Sequence, residues 1–167
     1  ENTFVYIAAF GLFTDVSYET SQEIKNVLGH MAYILEGVKK LANVKSYHMK
    51  ITTDDRVIED EFLYGMITNS MSVGGFKGIT GKFVDLSDGI FEVMLVKRPR
   101  SLEDLNRTLV ALTQRDIDAS CMYCFKTTCL KVESEEEIAW TLDGEYGGRH
   151  TEVVVENQRE ALHIMVP

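Results

Sequence analysis

Hydrophobic positions divide the first quarter of the chain into one strand and one helix. Residues 3–13 are apolar, β-branched and aromatic, which is the composition of a buried strand. The run Thr20-Ser-Gln-Glu23 has capping-box spacing, and apolar residues then recur at intervals of three and four from Ile24 to Leu41. This pattern predicts an amphipathic helix that ends near Ala42.

Strand-like patterns dominate the rest of the chain. Apolar and polar residues alternate, or nearly so, over residues 44–52, 56–69 and 89–97. Asp54-Asp55 predicts a tight hairpin between the first two of these runs. Four further strand-like runs cover residues 119–133, 138–143, 151–156 and 161–166.

A glycine-rich loop and a second helix separate these runs. Glycines at positions 74, 75, 78 and 81 predict a loop over residues 70–82. The second helix is predicted to begin at Ser101, with Glu103 and Arg107 as an i,i+4 ion pair. Its apolar face is predicted to comprise Leu102, Leu105, Leu109 and Leu112.

The balance of elements indicates the fold class. Only two helices interrupt many strands, and the strands do not alternate regularly with helices, so a parallel βαβ sheet is disfavoured. We predict a mainly β domain, an antiparallel β-sandwich with one or two packed α-helices. Residues 1–167 show no linker or internal repeat and are predicted to form a single domain.

Composition excludes some classes of function. The chain has 17 basic and 26 acidic residues, a net charge of −9, which argues against nucleic acid binding and against a strongly polybasic membrane patch. The longest apolar run, residues 5–13, is too short to cross a bilayer. Cys121 and Cys124 have CxxC spacing, but no second pair or nearby histidine completes a metal site. With Cys129, they are predicted to be reduced structural thiols of a cytosolic protein.

Two acidic turns are the candidates for chemistry, because no P-loop, dinucleotide fingerprint or nucleophile elbow occurs. One is Asp85-Leu-Ser-Asp88-Gly-Ile90, and the other is Leu142-Asp143-Gly144-Glu145. Both are also ordinary turn sequences. A carboxylate with backbone carbonyls can hold a hard divalent cation, and a glutamate fixed at a strand end can act as a general base.

The order of several short motifs resembles a known family. Ala8-Ala-Phe-Gly11 is followed by Lys25-Asn-Val-Leu-Gly29-His-Met-Ala-Tyr33, then Thr68-Asn-Ser70, Gly74-Gly75, Leu86-Ser-Asp-Gly89 and Leu142-Asp-Gly-Glu145. This succession, over about residues 4–166, resembles the C-terminal domain of bacterial diacylglycerol kinases and related lipid kinases. That family includes phosphatidylglycerol kinase-like enzymes and is distantly related to sphingosine kinases.

The resemblance implies one half of a two-domain kinase. In this family an N-terminal domain with a Gly-Gly-Asp-Gly-Thr motif binds ATP, and the active site and lipid pocket lie between the domains. No such motif occurs in this sequence, so the nucleotide-binding domain is expected to lie outside it, in the parent chain. The chain alone is therefore expected to be inactive.

The resemblance also assigns roles to residues of both acidic turns. Glu145 is expected to accept the proton of the lipid hydroxyl, and Asp143 to place Glu145 or to join a network of water and Mg²⁺. A structural Mg²⁺ is expected at the first turn, held by the Asp88 carboxylate and the main-chain carbonyls of Asp85 and Ile90. A second Mg²⁺ would accompany ATP.

The substrate and the cellular setting are less defined by the sequence. The resemblance implies diacylglycerol or a related lipid alcohol, a location in the cytoplasm at the inner face of the membrane, and transient contact with that membrane. Homodimers are common in the family. The alternative is a non-catalytic β-sandwich module that binds an apolar ligand or a protein partner, or regulates one.

Overall fold

The described part of the chain is built almost entirely from antiparallel strands. The structure, a computed structural model, describes residues 2–12, 45–73, 76–77, 84–114 and 120–162, and these contain one helix. The elements are β1 (Ile7–Gly11), β2 (Tyr47–Thr52), β3 (Val57–Thr68), β4 (Ser72–Val73), β5 (Phe76–Lys77), β6 (Phe91–Lys97), α1 (Leu102–Gln114), β7 (Met122–Thr127), β8 (Cys129–Leu142) and β9 (Glu145–Glu156). All but β4 and β5, which pair with each other, belong to one sheet.

Two long strands, β3 and β8, organise the sheet because β1 and β2 lie end to end between them. Both short strands pair with β3 on one side and with β8 on the other. Gly11 is opposite Tyr64 of β3, and Tyr47 is opposite Phe62 of β3. The end of β1 and the start of β2 therefore lie next to each other along β3. Strands β6 and β7 extend the sheet beyond β3, and β9 extends it beyond β8.

Alternation along the strands separates the core into two parts. In β6, Val93 and Leu95 face the main core with Phe10, whereas Met94 and Val96 face a second cluster that includes residues of α1. Both faces of β6 are thus covered. The main core is formed by Ala8, Phe10, Tyr47, Met49, Ile51, Ile58, Phe62, Ile67, Phe91, Val93, Leu95, Leu130, Val132, Ile138, Trp140 and Val155.

The predicted fold class is confirmed in these residues: a mainly β, antiparallel, sandwich-like domain with a packed helix. The Asp54-Asp55 hairpin is also confirmed, because Thr53 N donates to Arg56 O at 2.9 Å between paired β2 and β3. The predicted ion pair of Glu103 and Arg107 is present at 2.6 Å. The first predicted helix, which ends near residue 42, lies outside the described residues.

The corner between β7 and β8 was not predicted. The run 119–133 is two strands, because the chain turns at Thr128 and β8 then continues to Leu142 through the run predicted separately at 138–143. The Thr127 hydroxyl donates to Cys129 O at 2.6 Å and closes the turn. Threonine is a common strand residue, so hydrophobic patterning does not mark this corner.

Other boundaries also differ from the predictions. Strand β9 begins at Glu145 and not at residue 151, because a bulge near Gly147 removes the alternation there. β1 is shorter than the run 3–13, because the amides that precede it bond to a side chain and not to a strand. The predicted loop 70–82 contains the short β4–β5 pair. Ala161 and Leu162 are not in a strand, and residues 163–167 lie outside the described part.

The buried face of α1 differs from the predicted row of leucines. Leu105, Thr108 and Ala111 are buried, whereas Leu102 is 71% exposed. At 100° per residue, Leu102 lies about 120° around the helix from Thr108 and so points away from the sheet. The prediction that Leu102 shares the apolar face of the helix was therefore wrong.

Two glycines with almost the same φ allow the packing between β1 and β3 to be tested. Gly11 and Gly144 have φ of 90° and 93°, but a Cβ at Gly11 would lie 2.2 Å from Leu63 O, whereas nothing lies within 4 Å at Gly144. We expect Gly144→Ala to lower the free energy of unfolding by about 1–2 kcal/mol, the cost of a left-handed alanine. Gly11→Ala should cost about 3–5 kcal/mol, because overpacking against backbone adds to that term. Urea denaturation of both variants measures the free energy of unfolding. Equal decreases in the two variants would contradict the close packing of Gly11 against β3.

Candidate functional site

The hairpin between β8 and β9 carries the two carboxylates predicted to be catalytic. Its two-residue turn is Asp143-Gly144, with φ of 51° and 93°, and Leu142 pairs with Glu145 across it. Positive φ at both positions is typical of a type I′ turn, which Asp-Gly favours because glycine has no Cβ and aspartate tolerates the left-handed region. Asp143 and Glu145 are therefore held at the tip of a tight, regular turn.

The Asp143 carboxylate binds three successive backbone amides. Oδ2 accepts from Val5 N at 2.7 Å, and Oδ1 accepts from Tyr6 N at 2.9 Å and from Ile7 N at 2.8 Å. In return, Asp143 N donates to Ile7 O at 2.8 Å. These bonds fix the entry of β1 against the hairpin, so most of the acceptor capacity of this carboxylate is used within the chain.

These bonds also determine the ionisation of Asp143. Partial burial alone would raise the pKa of this carboxyl group. The hydrogen bonds from Val5, Ile7 and Tyr6 outweigh that effect and hold the pKa below its ordinary value. Asp143 is thus an anion near neutral pH, and its charge stabilises the local backbone arrangement.

Glu145 differs from Asp143 in having an uncommitted carboxylate. It is exposed, and its side chain makes no hydrogen bond or ion pair with any other residue in the described ranges. Tyr146, the next residue, is 71% exposed, and Val5, which bonds to Asp143, is 61% exposed. Within the described ranges, the hairpin therefore presents an exposed carboxylate that no other residue engages.

A chain of hydrogen bonds connects this hairpin to the first acidic turn. Tyr6, whose amide binds Asp143, has a carbonyl that accepts from Thr68 Oγ1 at 2.7 Å and from Asn69 N at 3.2 Å. Asn69 Nδ2 then donates to Leu86 O at 3.1 Å. The end of β3 thus links the two predicted sites, which lie at the same end of the sheet.

The turn at residues 85–90 is stabilised mostly by its own side chains. The Asp85 carboxylate accepts from Ser87 N at 2.9 Å and from Ser87 Oγ at 2.8 Å, and these bonds lower its pKa. Asp88 Oδ1 accepts from Ile90 N at 2.8 Å. Arg159 Nε donates to Ser87 O at 3.1 Å, and its alkyl chain lies against Gly89, whose φ is 77°. These hydrogen bonds fix the shape of the turn from within the chain.

The oxygen atoms left over in this turn are of the type that a magnesium ion prefers. Asp88 keeps one carboxylate oxygen, and the carbonyls of Asp85 and Ile90 accept no hydrogen bond from the residues that the structure describes. One carboxylate with carbonyls and water suits a hard cation. No group of three or more His, Cys, Asp or Glu side chains converges in the described ranges, so any ion here would depend on main-chain oxygens. The predicted ligand set fits in chemical type.

Beneath this turn lies a buried carboxylate that the sequence analysis missed. Glu92 is 2% exposed, and Lys126 Nζ lies 3.0 Å from its Oε1 as an ion pair. Neither carboxylate oxygen accepts a hydrogen bond of good geometry within the described residues. Burial raises the pKa of Glu92, although Lys126 opposes that shift. Its signal in the sequence is a single charge inside the apolar run Phe91–Lys97. Asn69 Oδ1 is likewise buried without a hydrogen-bond donor.

The cysteines agree with their prediction as structural thiols. None of the three forms a disulfide, and Cys121 and Cys124 belong to the cluster that packs against α1. Burial, with a smaller contribution from Cys121, raises the pKa of Cys124 to about 11. A thiol with so high a pKa is a poor nucleophile near neutral pH.

None of the helices in the described ranges is long and apolar enough to span a membrane.

Comparison with known proteins connects this arrangement to one family. A family model described as the YegS C-terminal NAD kinase beta sandwich-like domain matches residues 9–166. Diacylglycerol kinase of Bacillus subtilis (strain 168) is 29% identical over 164 residues, which are 98% of this chain and 54% of that protein. Diacylglycerol kinase of Staphylococcus epidermidis is 29% identical over 148 residues, 87% of this chain and 46% of that protein. The chain thus spans about half the length of the curated relatives it matches.

Solved structures show the same fold. A crystal structure from Bacillus anthracis str. Sterne matches with a TM-score of 0.67 at 24% identity, over 93% of this chain and 50% of that one. A diacylglycerol kinase structure from the same organism matches with a TM-score of 0.60 at 17% identity, over 93% and 47%.

The role of Asp143 as an anchor can be tested by Asp143→Asn. Asparagine tolerates the left-handed turn, but its amide nitrogen cannot accept the hydrogen bond from Val5 N. We therefore expect the free energy of unfolding at pH 7 to fall by about 1–2 kcal/mol, a value kept low because solvent screens this exposed charge. The pKa of Asp143 is lower in the folded state, so its contribution is complete above its unfolded pKa of about 4 and is lost as the pH falls towards the folded pKa.

The measurement is urea denaturation of both proteins between pH 7 and pH 3. The difference in unfolding free energy between wild type and Asp143→Asn should shrink as the pH falls through this window. A difference that stays constant across it would show that the charge of Asp143 does not hold the segment at Val5 to Ile7.

Proposed function

The chain belongs to the family of YegS C-terminal NAD kinase beta sandwich-like domains, and from this membership we propose that it is the lipid-binding, base-supplying part of an ATP-dependent lipid kinase. The proposed parent enzyme transfers the γ-phosphate of ATP to the hydroxyl of diacylglycerol or a related lipid alcohol. The name diacylglycerol kinase belongs to the relatives and supports this substrate class for the present chain.

The observation that carries the proposal is the contrast between the two carboxylates of the hairpin. Asp143 binds three backbone amides, whereas Glu145 is exposed and has no hydrogen-bond or ion-pair partner among the described residues. A general base must be positioned and yet free to accept a proton. Val5, whose amide binds Asp143, and Tyr146, the residue after Glu145, are exposed apolar side chains of the same region that could contact the substrate's hydrocarbon portion.

In the proposed reaction, Glu145 takes the proton from the lipid hydroxyl as that oxygen attacks the γ-phosphorus of ATP. The new oxygen–phosphorus bond gives a lipid phosphate, and the bond to the β-phosphate oxygen breaks to release ADP. Asp143 acts as a positioning residue, since it keeps the hairpin against β1. Phosphoryl transfer depends mostly on alignment and charge neutralisation, so a fixed carboxylate is a useful contribution from this half.

Magnesium has two proposed places in the parent enzyme. One Mg²⁺ accompanies ATP and neutralises charge on the phosphates. At the turn 85–90, the residues that would hold a structural Mg²⁺ are Asp88 through its carboxylate and Asp85 and Ile90 through their carbonyls. Because the hydrogen-bond chain through Asn69 and Tyr6 joins this turn to the hairpin, a fixed turn would support the position of Glu145.

The remaining parts of the proposal concern the rest of the parent protein. Relatives about twice as long as this chain support a nucleotide-binding domain elsewhere in the same polypeptide, and the chain alone would then lack kinase activity. A lipid substrate implies transient contact with a membrane, and we propose the inner face of the cytoplasmic membrane. A homodimer remains an expectation from the family.

Glu145→Gln in the full-length parent tests the base directly. We expect kcat to fall by about 10²–10⁴-fold, since glutamine cannot accept the proton, while the fold and ATP binding stay unchanged. The measurement is phosphorylation of diacylglycerol and a panel of lipid alcohols with labelled ATP. Glu156→Gln, which removes an exposed carboxylate from the other end of β9, is the control and should retain activity. Full activity of Glu145→Gln would leave only a binding or regulatory role for the hairpin.

The proposed magnesium turn predicts a metal-dependent gain in stability. Saturating Mg²⁺ should raise the Tm by roughly 5–10 °C at a hundredfold excess over Kd. Asp88→Asn keeps an oxygen for Ile90 N but loses the charge, so the Mg²⁺-dependent rise should largely vanish. Asp85→Asn should retain it, because the proposed ligand there is the main-chain carbonyl. Thermal unfolding with and without Mg²⁺ checks this, and identical responses of all three proteins would exclude the site.

A further inference from the structure

The hairpin that carries Glu145 is followed directly by a β-bulge. Leu142 pairs with Glu145 across the turn. Trp140, two residues earlier in β8, pairs with Gly148, three residues after Glu145. One extra residue, Gly147, is therefore inserted into β9 at this point. Bulges bend a strand and change the direction of the side chains beside them, and this one lies two residues from the proposed catalytic base.

The bulge brings His150 to the same face of the sheet as Glu145. The two residues are five positions apart, and in a regular strand an odd separation places side chains on opposite faces. Their partners on β8 are Leu142 and Ile138, which are four positions apart and both contact the main core. Paired residues of antiparallel strands point to the same side, so the extra residue has moved His150 onto the face of Glu145.

The His150 ring leans back towards the hairpin over Gly148. A Cβ added at Gly148 would lie 2.7 Å from His150 Nε2 and 3.3 Å from its Cε1, so the ring occupies the space of a side chain at position 148. Leu142 and Trp140, the partners of Glu145 and Gly148, are two residues apart, which is about 7 Å along a strand. The imidazole thus lies about one strand repeat from the base, over a glycine.

His150 holds the bulge through a backbone carbonyl. Nε2 of His150 lies 3.2 Å from Gly147 O, and because a carbonyl oxygen can only accept, Nε2 carries the hydrogen. Gly147 is buried, and a Cβ there would lie 2.8 Å from Leu142 Cγ. The bulge is thus fixed between Leu142, the partner of Glu145, and the bond from His150. Asn2 Nδ2 donates a longer bond to the same carbonyl, at 3.4 Å.

From this geometry we propose that His150 is a positioning residue for Glu145, which acts by holding the Gly147 carbonyl. Asp143 fixes the chain on one side of the base, and His150 fixes it on the other. This role rests on the proposed function of Glu145. It needs an N–H donor and no proton transfer, since the neutral Nε2–H form and the cation of His150 can both donate this bond.

The first test compares His150→Ala with His150→Gln in the full-length parent. The amide nitrogen of glutamine can take the place of Nε2, so kcat should stay within about twofold of wild type. Alanine has no donor, and kcat should fall about five- to tenfold while the KM for ATP stays unchanged. His48→Ala is the control, because it removes an exposed histidine opposite Glu61 of β3 and should keep full activity.

Hydrogen exchange of the same proteins gives a readout that does not depend on activity. The backbone amides of residues 145–148 should exchange about five- to tenfold faster in His150→Ala, and at the wild-type rate in His150→Gln and His48→Ala. Unchanged exchange in His150→Ala would overturn the proposal whatever the kinetics. Faster exchange with an unchanged kcat would also overturn it, because the bond would then not serve the base.

A double-mutant cycle tests the contact between the His150 ring and Gly148. Gly148→Ala places a Cβ where the ring lies, so it should lower kcat more in the wild type than in His150→Ala. The strain of alanine at a φ of 99° is common to both backgrounds and cancels in the comparison. Equal effects in the two backgrounds would contradict the contact.

Glu145→Gln in the same kinase assay separates this proposal from the function on which it rests. Loss of turnover in Glu145→Gln, with the expected effects of His150→Ala, supports both. Loss of turnover with a normal kcat in His150→Ala leaves the base in place and removes the role of His150. Full turnover in Glu145→Gln overturns the proposed function, and the positioning role falls with it.

Discussion

The position of the proposed base depends on one carboxylate that accepts three consecutive backbone amides. Asp143 satisfies the N–H groups of the residues that lead into β1, and the Asp143 amide binds back to the same strand. Without these bonds, those amides would lack partners at the point where β1 meets the hairpin. Among the described residues, no group engages the Glu145 side chain, whereas Asp143, two positions away, uses most of its acceptor capacity on backbone amides. In this molecule, one turn thus separates a structural acid from an uncommitted one.

Hydrophobic patterning was sufficient for the fold class because most of the described elements are strands with recognisable apolar patterns. β2 alternates between buried and exposed positions, β6 is an apolar run, and both were predicted to within a few residues. The corner at Thr128 was missed because threonine is compatible with both strand and turn. Leu102 was misplaced because four leucines at helical spacing look equivalent, whereas Thr108 takes the central buried position.

The candidate site was only partly accessible to sequence reasoning. Local turn sequence and the resemblance singled out Asp143 and Glu145 in one turn and Asp88 in another, and the roles expected of them stay predictions. The bonds from Asp143 to residues 5–7 and the buried pair of Glu92 and Lys126 join segments that are distant in sequence. No local pattern encodes such partners. A lone charge in an apolar strand was the available hint for Glu92, and it pointed to no partner.

The end-to-end arrangement of β1 and β2 has a consequence for how the protein is made. Ile7 and Asp143 are 136 residues apart, and among the described residues β1 pairs with β3 on one edge and with the end of β8 on the other. During synthesis, β3 can pair with β1 early, but the second edge of β1 stays open until the end of β8 has been made. Such high contact order slows folding and leaves one edge of an apolar strand unpaired meanwhile. The proposed catalytic hairpin is made after β3, and its arrival completes the pairing of β1.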